Sequence, residues 1–264
     1  MPELPEVETI ARSLAPKLRG RRIASAEFTC RRVLIGDPDE TARSLAGKVI
    51  RKITRRGKFL VMELDSGACF VVHLGMTGKL LMNGVQGKHA HAVLTLDRGV
   101  LIYDDPRQFG RLQFSQGLPE RVAALGPEPL DVTFDRFAKL VRARKSPLKS
   151  VLLNQRFLRG IGNIYADEAL FRAGVHPLAA GSRLRPDRVK KLHQAIRQVL
   201  TEAIKAGGSS ISDYVDSDGR EGSFQFDHRV YQRTGEPCVT CGTRVKRILV
   251  IQRATHFCPK CQKK

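Results

Sequence analysis

Phe59-Leu60-Val61-Met62-Glu63-Leu64-Asp65-Ser66-Gly67-Ala68-Cys69-Phe70-Val71-Val72-His73-Leu74 is the stretch whose reading decides the fold. Two apolar, β-rich runs, Phe59–Leu64 and Ala68–Leu74, flank Asp65-Ser66-Gly67. That is an antiparallel hairpin with a three-residue loop and a glycine where φ must be positive. The pattern recurs at Ala92–Leu96 and Val100–Tyr103, which flank Asp97-Arg98-Gly99. From about residue 22 to 115 short runs of this kind follow one another, and they predict a β-sandwich or barrel.

Helical periods lie on either side. Residues 5–15 read as a helix, with Pro5 suited to its first position, Glu6 and Glu8 in the first turn, and Ile10 and Leu14 on one face. Pro16 is expected to end or kink it. Gly126-Pro127-Glu128-Pro129 denies helix and strand alike and reads as a linker over 126–130. Beyond it Phe134, Phe137, Leu140 and Val141 fall at helical spacing. A longer stripe runs from Val189 to Ile204, opened by Pro186 and closed by Gly207-Gly208. Residues 209–224 form a Ser/Gly/Asp-rich stretch, and long structureless loops of this kind are often functional. No internal repeat and no low-complexity tract is present.

Of 264 residues, 42% are hydrophobic, enough for a real core and against wholesale disorder. Lys and Arg number 46 against 26 Asp and Glu, a formal charge of +20. A fold does not need that excess and self-repulsion opposes it, so a polyanionic partner is expected, nucleic acid ahead of an anionic membrane. No apolar run reaches the ~20 residues of a membrane helix. The opening Met1-Pro2-Glu3-Leu4-Pro5-Glu6 is the reverse of a basic, apolar signal peptide, which makes the cytosol the expected compartment. There, six cysteines suggest metal binding or lone thiols rather than disulfides.

Cys238-x2-Cys241 and Cys258-x2-Cys261, sixteen residues apart, offer four thiolates at the spacing of a tetrahedral Zn²⁺ site. The segment between them, with Val245, Ile248, Val250 and Phe257, reads as a β-hairpin too small to bury a core. A metal supplies the missing folding energy. Four filled positions make the site structural, and Arg244, Lys246, Arg247, Arg253 and Lys260 offset its negative charge. Cys30 and Cys69 sit in strand-like surroundings and are expected in the core.

The N-terminus carries a second kind of chemistry. Initiator Met1 is expected to be removed before so small a residue as Pro2, leaving a secondary amine. An α-amine has a reference pKa of ~7.7–8.0 against ~10.4 for Lys, so it is far more available at neutral pH. Condensed with a sugar aldehyde it gives an iminium ion, a strong electron sink for elimination. Glu3 and Glu6 beside it can supply a general acid and a charge stabiliser. The same residues also suit a plain helix cap.

Pro2-Glu3-Leu4-Pro5-Glu6-Val7-Glu8-Thr9, His73-Leu74-Gly75-Met76, Gly160-Ile161-Gly162-Asn163-Ile164-Tyr165 and the terminal four-cysteine hairpin with Gln252-Arg253-Ala254-Thr255 resemble the formamidopyrimidine-DNA glycosylase family. The resemblance runs from the first residue to nearly the last. It implies an α+β fold: an N-terminal β-sandwich domain with its opening helix (1–125), a linker (126–130), a helix–two-turns–helix domain (131–222) and a zinc-finger hairpin (223–264), with DNA in a basic cleft between domains. It implies a monomeric bacterial enzyme of the cytoplasm and nucleoid. Such enzymes flip an oxidised purine out of duplex DNA, cut its glycosidic bond and nick the strand by β,δ-elimination, with abasic sites as further substrates and one structural Zn²⁺ as cofactor.

Carried onto these residues, the resemblance makes Pro2 the nucleophile, Glu3 the proton donor and Glu6 the stabiliser of the N-terminus and its cationic intermediate. Lys58, Asn163 and Arg253 become phosphate contacts, with Lys149 a further candidate DNA contact. Met76, Arg107 and Phe109 fill the void left by the flipped base. His73, His89 and His91 read as phosphate or structural contacts rather than metal ligands, the last two on one strand face. Two positions depart from the pattern. Gln108 stands where a second arginine is expected, bearing on the opposite base, and Ser223 stands where an aromatic is common in the base-recognition loop. An endonuclease VIII-like preference for oxidised pyrimidines, or a non-catalytic zinc DNA-binding protein, are the competing readings.

Overall fold

The structure is a computed structural model that describes residues 2–211 and 213–264. Met1, whose removal the sequence suggests, lies outside the described residues. The chain divides into two compact units: the chain up to Ala124 together with Ala206–Gln225, and Leu125–Lys205 together with Phe226–Lys264.

The first unit opens with α1 (Leu4–Leu18), followed by β1 (Ile23–Phe28), β2 (Leu34–Ile35), α2 (Pro38–Leu45), β3 (Ile50–Arg56), β4 (Phe59–Leu64), β5 (Cys69–His73), β6 (Lys79–Met82), β7 (Ala90–Leu96), β8 (Val100–Asp104), β9 (Arg111–Ser115) and the short α3 (Glu120–Ala123). Two sheets form, ordered β1-β7-β8-β6 and β2-β9-β5-β4-β3. Both glycine-closed hairpins are present, with Gly67 at φ 80° and Gly99 at φ 89°. One core takes side chains from both sheets and from α1, including Leu14, Leu60, Met62, Phe70, Val72, Leu94 and Leu101. This is the sandwich that the alternating runs predict.

The opening helix differs from its prediction at both ends. It starts one residue earlier, with Glu3 as N-cap, so Pro5 is the second helical residue rather than the first. Pro16 lies inside the helix rather than ending it. A proline there forgoes only one backbone bond, and Leu14 and Leu18, both fully buried, hold the last turn onto the core. Cys69 is buried as expected, whereas Cys30 follows β1 and is only half-buried at the core edge. Residues 206–225 pack with this unit, not with the helices that precede them. Tyr214 enters the core, Ser217 O accepts from Met82 N, and Lys17 pairs with Asp218.

The second unit holds α4 (Phe134–Arg142), α5 (Leu148–Leu153), α6 (Asn163–Arg172) and α7 (Pro186–Lys205), then β10 (Lys246–Val250) and β11 (Arg253–Phe257). The long apolar stripe is buried along α7, from Val189 to Ala203. Gly126–Pro129 is irregular, as two prolines require, but it is no free tether. Gly126 N donates to Gln155 O, Pro127 O accepts from Arg159 N, and Glu128 pairs with Arg159 at 3.0 Å. Among the described residues no helix is long and apolar enough to cross a membrane.

Candidate functional site

Three residues at the start of the chain are buried together. Pro2 is buried, and Glu3 and Glu6 are 2% and 1% exposed. Glu6 reaches back to accept from Glu3 N at 2.8 Å, the half of a capping box that fixes the chain entering α1. Its other oxygen accepts from Ser209 N at 2.8 Å. That approach requires Gly208, which sits at φ +85°, where a Cβ would lie 2.8 Å from Glu6 Oε1. Tyr214 donates its hydroxyl to Gly207 O at 3.0 Å. The 206–225 segment therefore anchors the N-terminal carboxylate, a contact invisible in sequence because 203 residues separate its partners.

Lys58 lies in the turn between β3 and β4 and is buried rather than solvated. It adjoins His73, which ends β5. The His73 ring lies 4.9 Å from that of Phe59, tilted by 52°, and its Nδ1 accepts from Gly75 N at 3.2 Å. Burial, then the charges of Lys58, Arg121 and Arg111, push the His73 imidazole down to about 4. With Nδ1 accepting, a neutral ring carries its proton on Nε2, a donor that can meet a phosphate oxygen without charge. Arg121 was not singled out by sequence. Its guanidinium lies 5.4 Å over Phe59, with Nε and Nη2 buried and no hydrogen-bond partner. The cationic character of this pocket comes from three elements meeting, so no local motif announces it.

Met76 is half-buried in the turn after β5, and Phe109 is 43% exposed, so neither is a core residue. The Arg107 guanidinium covers the Phe109 ring at 4.7 Å. The two loops touch through backbone, since a Cβ on Gly75 would lie 2.5 Å from Phe109 C. Gln108 adopts φ 55° between Arg107 and Phe109. His91 is buried in β7 and its Nε2 bonds Asp105 O at 3.1 Å, a structural contact. His89 sits in the turn before β7, its ring 6.5 Å from that of His91.

In the second unit the four cysteine sulfurs all lie within 4.8 Å of one another. Cys238 and Cys261 are 3.9 Å apart and Cys241 and Cys258 are 3.5 Å apart. Zn–S bonds of ~2.3 Å in a tetrahedron place sulfurs about 3.8 Å apart, so the donor set and its spacing fit one structural zinc with every position filled. β10 and β11 pair from Lys246↔Phe257 to Val250↔Arg253. Arg253 stands exposed beside the tight turn Ile251-Gln252, both residues at positive φ.

The hairpin is bolted to α6. Asp167, 1% exposed, accepts from His256 N at 2.9 Å and from Lys149 Nζ at 2.6 Å. Asn163 Nδ2 donates to Ala254 O at 2.9 Å. This corrects one expectation. Lys149 is fully buried and belongs to this clamp, not to a DNA surface. Asn163 is the first residue of α6, with Gly162 at the cap. The charge is equally uneven: the second unit holds 25 Lys and Arg against 9 Asp and Glu, +16 of the chain's +20.

A two-sheet unit with a buried acidic N-terminus and a helical unit bolted to a four-thiolate hairpin define the class of helix–two-turns–helix proteins with a zinc finger. Residues 1–112 match the formamidopyrimidine-DNA glycosylase N-terminal domain, 125–215 its H2TH domain, and 235–264 the zinc finger found in FPG and IleRS. The formamidopyrimidine-DNA glycosylase of Solibacter usitatus (strain Ellin6076) is 62% identical over 265 residues, covering 100% of both chains. The crystal structure of MutM (Fpg) from Thermus thermophilus superposes with a TM-score of 0.90 at 41% identity, covering 99% of this chain and 98% of that one. A Lactococcus lactis Fpg mutant, solved in complex with Fapy-dG-containing DNA, gives 0.92 at 38% identity over 100% of both chains. The chain belongs to the formamidopyrimidine-DNA glycosylase family.

Proposed function

We propose that this chain is a bifunctional DNA glycosylase and AP lyase that removes oxidised purines, 8-oxoguanine and formamidopyrimidines, from duplex DNA, working in the bacterial cytoplasm at the nucleoid. The observation that carries the reading is the buried pair Glu3 and Glu6 beside Pro2, with Glu6 fixed by the Ser209 N–H. Once Met1 is removed, the Pro2 nitrogen attacks C1′ of the flipped nucleotide, the glycosidic bond breaks and the base leaves with its electron pair. Glu3 donates a proton to the ring oxygen as the sugar opens, giving an iminium ion on Pro2. Glu6 offsets that cation. The iminium acidifies C2′, whose proton passes to water as the C3′–O bond breaks and the 3′ phosphate leaves; loss of the C4′ proton to water then breaks C5′–O and expels the 5′ phosphate. Water finally hydrolyses the imine and frees the amine.

Lys58, His73, Asn163 and Arg253 take phosphates, positioning the duplex without reading sequence. Met76, Arg107 and Phe109 occupy the space the flipped base vacates. The zinc stabilises the hairpin that carries Arg253 and takes no part in the reaction.

Borohydride trapping on duplexes bearing 8-oxoguanine, dihydrouracil or an abasic site tests this. Covalent adduct with 8-oxoguanine and the abasic site, and little with dihydrouracil, is expected. Preferential trapping on dihydrouracil overturns the purine reading in favour of an endonuclease VIII-like enzyme. No adduct on any duplex, from protein shown by mass spectrometry to lack Met1, leaves a DNA-binding protein.

A further inference from the structure

Asp105 is fully buried and no acid-base role uses it. Its carboxylate receives four donors. Thr77 Oγ1 at 2.5 Å and Arg107 N at 3.3 Å reach Oδ1; Tyr103 OH at 2.9 Å and Gly110 N at 2.8 Å reach Oδ2. An ionised carboxylate can accept from all four at once, whereas a protonated one would turn its O–H toward groups already donating to it. Burial alone would raise its pKa, but the hydrogen bonds from Thr77, Gly110, Tyr103 and Arg107 outweigh burial and hold it below the usual range.

The donors come from two loops. Thr77 follows Met76 in the turn after β5, while Arg107 and Gly110 bracket Phe109 in the loop before β9. The rest of the surroundings suit the same end. Arg111 donates to Gln108 O at 3.2 Å and to Gly110 O at 2.6 Å, and His91 bonds the Asp105 carbonyl. Gly75 and Gly110 let the loops close on one another, since a Cβ on Gly110 would overlap the Tyr103 hydroxyl.

We infer that Asp105 is a positioning residue: through Thr77 on one side and the Arg107 and Gly110 amides on the other, it locks together the loops that present Met76, Arg107 and Phe109 to the vacated base position. The inference rests on the void-filling role assigned to those three side chains. Ionic hydrogen bonds to a buried carboxylate hold geometry tightly, and a wedge that fills a gap in a base stack acts only if it is rigid.

Asp105→Ala removes both acceptor oxygens, strands four donors and endangers folding, so Thr77→Val is the sharper test. It removes one hydroxyl at nearly constant shape and frees the Met76 turn alone, and Thr77→Ser restores the bond. Thr77→Val is expected to lower excision of 8-oxoguanine from duplex at least tenfold. Cleavage of a preformed abasic site should stay within twofold, because no base remains to be unstacked. Thr77→Ser should recover both activities. Met76→Ala, measured alongside, separates the two ideas. If Met76→Ala leaves the excision-to-cleavage ratio unchanged, the void-filling role is wrong. If Met76→Ala lowers that ratio and Thr77→Val does not, or if Thr77→Val lowers both activities equally, the locking role of Asp105 is overturned.

Discussion

Glu3 and Glu6 are chemically alike, close in sequence and almost equally buried, yet their surroundings divide them. Glu6 spends both oxygens on backbone amides, which fix its carboxyl in place. Glu3 takes the reciprocal capping-box bond from the Glu6 backbone N–H, and on the proposed mechanism it is the proton donor. Glu3→Gln should therefore lower base excision by roughly 10²–10⁴-fold. Pro2→Gly, which keeps a primary amine, should lose most excision and much of the trapping, and single-turnover assays on 8-oxoguanine duplex check both. Histidines give a second residue-level outcome. His73 and His228 are each depressed to about 4, His73 by burial and by Lys58, Arg121 and Arg111, His228 by burial. Unfolding exposes both to the ordinary value near 6.5, so the unfolded chain takes up protons first as pH falls. Stability is then complete above pH 6.5 and drains away toward pH 4, by ~3 kcal/mol at most for each ring and less where an edge stays wet. Urea unfolding between pH 4 and 7 should show that decline, and a His73→Gln, His228→Gln double variant should flatten it.

At the scale of an element, the zinc hairpin is two strands that cannot stabilise themselves. Metal and clamp divide the work: the thiolates close its base, while Asp167 and Asn163 fasten β11 to α6. Cys241→Ser should lose the bound zinc and with it DNA binding, since structural zinc contributes on the order of 10–16 kcal/mol of binding free energy to such folds. Cys69→Ser, in the other unit, should keep one zinc per chain. Metal analysis with a DNA gel shift checks the pair, and full affinity in metal-free Cys241→Ser protein would refute the assignment. The clamp also explains Lys149. A lysine deep in a helical unit is tolerable only against a carboxylate, and Asp167 is that partner.

Across the whole molecule the charge is concentrated rather than spread. The first unit is close to balanced, while the second carries most of the excess. The charge that attracts a polyanion thus lies mostly on the helical and zinc-bearing unit, while the buried Pro2, Glu3 and Glu6 belong to the nearly neutral one. Each neutralised phosphate contributes ~0.9 to the log–log salt slope of binding. Arg253→Ala should lower that slope by about one and weaken lesion and undamaged duplex alike. Met76→Ala, which removes no charge, should leave it in place. Binding isotherms across a salt series decide, and an unchanged slope in Arg253→Ala would remove Arg253 from the phosphate contacts.

Local periodicity and spacing were enough for the hairpins closed by Gly67 and Gly99, the α7 stripe and the four-thiolate site, because each is written within a short span of chain. The opening motif singled out Pro2, Glu3 and Glu6 only through the family resemblance, since by residue type alone they suit a plain helix cap. What the sequence could not determine depends on residues far apart in it. Burial of Lys149 against Asp167, the Ser209 amide on Glu6, the packing of 206–225 with the first unit and the four donors on Asp105 are all tertiary facts. A buried polar group must find its partner wherever the fold brings one, and no local pattern records which partner that is.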